Sequence, residues 1–119
     1  MFFVYMMSSR RNGTIYIGQT AELTLRVEQH KSGEFEGFAK DYNCHLLVWF
    51  EMHETRESAF KRERQMKDWD RSWKIRRIED LNPQWQDLYV GITLDDFSDP
   101  KRRFPSDKHL RLGHPPSRN

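Results

Sequence analysis

Five side chains carry the chemistry this sequence offers: Tyr5, Tyr16, Arg26, His30 and Glu63. Arg26 and His30 stand four apart, so on a helix they project from one face, a permanently charged donor fork beside an imidazole that titrates near neutrality. Tyr5 and Tyr16 fall in two short apolar runs separated by Arg11-Asn12-Gly13, a hairpin signal that sets the two phenols on neighbouring strands. Glu63 lies in the three- and four-residue row of Ala59, Phe60 and Met66, off the charged side of its helix, and a carboxylate near an apolar face is usually paired or metal-bound. Anion binding, proton transfer and cation ligation are what these residue types supply. Each also has a plain structural reading, as solvated helix surface or ordinary sheet aromatic.

These residues need elements to hold them. Phe2 to Met7 and Thr14 to Gly18 read as the arms of a hairpin. Thr20 can cap a helix from about Ala21 to Lys31, with Leu23 and Val27 on one side and Gly33 just beyond its end. Gly33 to Asn43 has no clean period and reads as a loop, whereas His45 to Met52 has the length and residue types of a central strand buried on both faces. Thr55 opens a helix through Ala59, Glu63 and Met66, and a second runs from Arg71 to about Leu81, stopped by Asn82-Pro83. Trp69, Trp73 and Trp85 are expected to pack these helices onto the sheet; the other reading is an exposed patch for a protein partner. Residues 95–119 are poor in aliphatic side chains, with four prolines after residue 99, so a flexible basic tail is expected to follow a folded body of residues 1–94.

The 119 residues suffice for one domain, and 36% hydrophobic with 13% aromatic residues argues for a packed core. A lone cysteine, Cys44, excludes a disulfide scaffold and a Cys-rich zinc site, is expected to be a buried strand-edge residue, and fits a reducing, cytoplasmic location. Met1 to Met7 is far too short to span a membrane, and the usual nucleotide-binding and serine-hydrolase signatures are absent. The formal charge is +2, from 20 Lys and Arg against 18 Asp and Glu, and the excess lies wholly in residues 95–119. Within the neutral body the signs separate: residues 34–57 hold six acids and two bases, residues 58–79 eight bases and four acids, gathering positive charge beside Glu63. His109 and His114 have an uninformative spacing, and solvation is the expectation for both.

The string Phe3-Val4-Tyr5-Met6-Met7, then Asn12-Gly13-Thr14-Ile15-Tyr16-Ile17-Gly18-Gln19-Thr20, Arg26, His30, Glu63 and Leu81-Asn82-Pro83 resembles the GIY-YIG nuclease domain, more closely its small stand-alone bacterial members. The likeness covers about residues 2 to 89 in order. It implies an α/β (α+β) fold, a small three-stranded antiparallel sheet flanked by helices. It also implies that Tyr5 and Tyr16 are the two signature tyrosines, Arg26 and His30 the helix-borne catalytic pair, and Glu63 the metal ligand. The first signature stands here as Val4-Tyr5, without its usual preceding glycine. Asn82, nineteen residues after Glu63, is a further candidate whose other role is to stop a helix.

The implied activity is a divalent-metal-dependent endonuclease acting on DNA, directed by structure or damage, in repair or processing. Glu63 would hold one hydrated Mg²⁺ (or Mn²⁺), Arg26 would neutralise the phosphoryl transition state, Tyr16 would be the general base with His30 sharing the proton, and Tyr5 would orient water or phosphate. Swapping Tyr16 and His30 is the alternative assignment. Lys61, Arg62, Arg64, Lys67 and Lys74 are the expected phosphate contacts. A competing reading is a non-catalytic nucleic-acid-binding module of the same fold.

Overall fold

The computed structural model describes residues 1–34, 37–95 and 97–104. The hairpin forms where its turn signal places it. β1 (Phe2–Ser8) and β2 (Ile15–Thr20) pair antiparallel, with Tyr5 opposite Gly18 and Met7 opposite Tyr16, and Asn12 takes a positive φ of 57° in the turn. β3 (Leu46–His53) pairs antiparallel with the other side of β1, giving the order β2-β1-β3 and an α/β fold with helices on both faces of a three-stranded antiparallel sheet.

The strand expected at the centre is therefore at an edge, and β1 is central. Burial on both faces of β3 is as expected: Leu47, Phe50 and Met52 pack on one face, Val48 and Trp49 on the other. The free edge of β3 is closed by scattered donors. Leu88 N donates to Leu47 O, Asn82 Nδ2 to Val48 O, Arg102 Nη1 to Phe50 O and Phe104 N to Met52 O, at 2.8 to 3.3 Å. An edge strand whose carbonyls are satisfied in this way carries the sequence of a central one.

Two cores flank the sheet, because alternate β1 residues point to opposite sides. Phe3, Tyr5 and Met7 face Leu23 and Val27 of α1 (Leu23–Ser32), Ala39 of α2 (Phe38–Asp41) and Ile92 of α5 (Tyr89–Thr93). Val4 and Met6 face Ala59 and Met66 of α3 (Arg56–Lys67), Ile78 of α4 (Arg71–Leu81), Trp69 and Trp85. The tryptophans thus join the helices to the sheet, with Trp69 and Trp85 buried and Trp73 half-buried against this core. Among the described residues no helix is long and apolar enough to cross a membrane.

Helix ends follow local chemistry, with one exception. Thr55 Oγ1 accepts from Ser58 N at 3.1 Å and caps α3, and Gly33 closes α1 at a φ of 74°. Thr20 does not cap α1: it is the last residue of β2, its hydroxyl accepts from Glu22 N at 3.0 Å, and Glu22 is the cap position. The presumed loop after Gly33 contains the single turn α2.

The packed body extends past residue 94. Phe97 lies 5.7 Å from the Phe3 ring and 5.8 Å from Phe50, and a 3₁₀ turn at Pro100–Arg102 leads to a parallel bridge between Arg103 and Met52. Phe104 stacks on His53 with ring centroids 4.5 Å apart. Residues 97–104, expected in the tail, thus pack on the body, because aromatic side chains anchor a segment whose low aliphatic content read as tail. His109 and His114 lie outside the described residues.

Candidate active site

Tyr5 sits at the centre of the central strand and is 1% exposed, so its hydroxyl needs an internal partner. It has one: Tyr5 Oη and His30 Nε2 are 2.9 Å apart. The ring lies across the strand pair because residue 18 is glycine; a Cβ there would stand 2.6 Å from the Tyr5 hydroxyl. Tyr16 is on the same face of β2, its ring 6.2 Å from Tyr5 and 5.1 Å from His30, and is only half-buried. Three rings from β1, β2 and α1 therefore cluster at steep mutual tilts of 50° to 60°.

Arg26, one turn before His30, acts on both partners of that bond. Burial, and then the Arg26 charge, lower the His30 pKa from 6.5 to about 4, so the imidazole is neutral near pH 7. Burial, and then neighbouring Tyr16, push the Tyr5 phenol well above its usual value; Glu63 adds to the rise and Arg26 opposes it. With Tyr5 protonated and His30 neutral, one hydrogen bond joins Oη and Nε2, its direction set by the imidazole tautomer. Glu63 reaches this field from α3, which packs on both β1 and β2. Its carboxylate pairs with Lys67 Nζ at 3.1 Å and its side chain is 13% exposed. The Tyr5 hydroxyl thus meets His30 directly and has Tyr16 packed beside its ring, with the charges of Arg26 and Glu63 acting on it.

The donor set for a metal is a single carboxylate, with no cluster of three His, Cys, Asp or Glu among the described residues. One partly accessible carboxylate fits a hydrated hard cation such as Mg²⁺, which keeps most of its waters, and does not fit zinc.

Two expected site residues are elsewhere. Arg62 is 1% exposed and pairs with Glu51 through Nε to Oε1 at 2.9 Å and Nη2 to Oε2 at 3.1 Å, between the rings of Trp69 and Phe104, so it makes no phosphate contact. The signal was Glu51, an acid inside an apolar strand that required a buried counter-ion. His53 Nε2 also bonds Glu51 Oε1, at 2.8 Å. Burial alone would raise the Glu51 pKa, but the His53 bond and the Arg62 charge outweigh it and hold it below the usual carboxylate range. Asn82 is a structural clamp: Nδ2 donates to Val48 O and Gln86 O, and Oδ1 accepts from Gln86 N.

The rest of the basic run is partly spent on structure. Arg71 donates to Asn12 O and Gly13 O at 2.7 Å, half-buried Lys74 reaches Lys67 O at 3.4 Å, and Arg76 lies over Trp73. Lys67 is exposed but engages Glu63, whereas Lys61 and Arg64 stand exposed, Arg64 over the Phe60 ring. Residues not singled out in the sequence also border the site: Gln19, Gln29 and Arg56 line a cavity that Arg26 shares. Arg56 carried no local signal, being simply the first residue after the Thr55 cap.

No solved structure matches the chain significantly. Three relatives from Staphylococcus aureus, the UPF0213 protein of strain Mu3, UPF0213 protein SAV0488 of strain Mu50 and UPF0213 protein SA0446 of strain N315, are each 35% identical over 78 residues, which is 66% of this chain and 94% of the relative. The family described as the GIY-YIG catalytic domain matches residues 1–76, a span that takes in Tyr5, Tyr16, Arg26, His30 and Glu63. The chain belongs to this nuclease-type family.

Proposed function

We propose that the chain is a cytoplasmic, divalent-metal-dependent endonuclease that hydrolyses phosphodiester bonds in DNA, chosen by structure or damage, in repair or processing. The observation that carries this reading is the buried Tyr5–His30 hydrogen bond with Tyr16 packed against both rings, in the field of Arg26 and Glu63. Tyr16 is the general base, since it is the more accessible of the two phenols. Tyr5 and His30 hold each other and orient the attacking water or the phosphate. Arg26 presents a planar donor fork to the non-bridging oxygens as charge builds there. Glu63 would hold Mg²⁺ or Mn²⁺, and the bound ion supplies Lewis-acid charge to the phosphate. Lys61 and Arg64, exposed on α3, supply sequence-blind phosphate contacts.

The test is incubation with Mg²⁺ or Mn²⁺ and labelled linear, flapped, nicked, single-stranded and supercoiled DNA. Cleavage by the wild type, lost in Glu63→Ala with the fold and DNA affinity retained, is the expected result. Cleavage by Glu63→Ala at the wild-type level overturns the metal assignment, and failure to cut any substrate turns the reading to a non-catalytic nucleic-acid-binding module.

A further inference from the structure

Beside the active site, a cavity of about 240 Å³ is lined by Gln19, Glu22, Leu25, Arg26, Gln29 and Arg56, among others. It is chemically mixed in the way a nucleotide is, with two guanidinium groups, two amides and an apolar wall from Leu25, which is 48% exposed. Arg56 holds its guanidinium 4.9 Å from the Phe2 ring centroid and pairs with no carboxylate among the described residues. A guanidinium lying over an aromatic face keeps its N–H edge for an anion. Gln19 also lines the cavity, and its Oε1 is shut off from solvent without a hydrogen-bond partner. Glu22 contributes one exposed carboxylate at the lining, so the two arginines set the sign of the charge.

We infer that this cavity is a substrate subsite that takes the nucleotide unit adjoining the scissile phosphate. Arg56 binds that unit's phosphate. The inference rests on the nuclease reading, because Arg26 links the two places: its charge acts on Tyr5 and His30, and its side chain also forms a wall of the cavity. A strand whose phosphate lies at Arg26 continues into the space that Arg56 borders.

The experiment measures anisotropy of fluorescein-labelled DNA without metal, between about 50 and about 200 mM salt. Arg56→Gln should bind more weakly and lower the log–log salt slope by about 1, the signature of one lost phosphate contact. Arg56→Lys, which keeps a point charge, should restore the slope. In cleavage assays the Arg56→Gln loss should fall on KM. An Arg56→Gln slope equal to that of the wild type overturns the subsite, whatever the cleavage result. A reduced slope in a protein whose wild type cuts no DNA keeps Arg56 as a phosphate contact but overturns the nuclease reading and, with it, the placement beside a scissile phosphate.

Discussion

The hydroxyl of Tyr5 lies 2.9 Å from Nε2 of His30, twenty-five residues further along the chain. That bond ties the central strand to α1 and satisfies a phenol that is 1% exposed. It also sets the protonation of the site. The same burial that suppresses charge on the imidazole suppresses ionisation of the phenol, so the pair is neutral near pH 7.

The depressed His30 pKa makes stability depend on acid in a defined window. Between its unfolded value of 6.5 and its folded value of about 4, the folded state binds fewer protons than the unfolded one, so stability falls as pH drops through that window. The Glu51 carboxyl is held below the usual carboxylate range, so its contribution is lost at lower pH. Thermal melts at pH 7 and pH 5 should show a drop in the wild type that His30→Gln lacks in part. Equal drops in both proteins would refute the assignment.

Gly18→Ala places a Cβ 2.6 Å from the Tyr5 hydroxyl and 2.7 Å from its Cζ. The expected cost is about 1–3 kcal/mol in urea denaturation, typical of overpacking. DNA cleavage should fall with it, because the ring is pushed from His30. A variant with wild-type stability and wild-type turnover would show that the close approach is immaterial.

Arg62 and Lys61 are neighbours in sequence with opposite fates. Arg62→Ala leaves Glu51 buried without its guanidinium partner and should destabilise the fold by about 3–5 kcal/mol. Lys61→Ala, on the exposed side, should leave stability within about 0.5 kcal/mol and reduce the salt dependence of DNA binding. Urea curves and anisotropy on both variants decide the matter, and a stable Arg62→Ala protein with weakened DNA binding would reverse the assignment.

Residues 97–104 predict a truncation boundary. A chain ending at residue 94 loses Phe97 from the Phe3 and Phe50 rings and the donors of Arg102 and Phe104 from Phe50 O and Met52 O. It should be less stable than a chain ending at residue 104 by at least about 2 kcal/mol. Denaturation of the two chains side by side tests this, and equal midpoints would end the packed body at residue 94.

What was legible in the sequence was local. Asn12-Gly13 marks the hairpin, Thr55 caps α3, and Asn82-Pro83 ends α4, because turn and cap chemistry is written in adjacent residues. The family motif named Tyr5, Tyr16, Arg26, His30 and Glu63, and the span of the matched domain contains all five. What tertiary structure alone decided was non-local. β3 looked central because Leu88, Asn82, Arg102 and Phe104 close its edge from distant points in the chain. Arg62 looked like a surface base because nothing beside it in sequence shows that its helix face turns toward Glu51. Spacing along one helix says which residues share a face. Which of those faces meets solvent and which meets a buried charge depends on partners that only packing brings together.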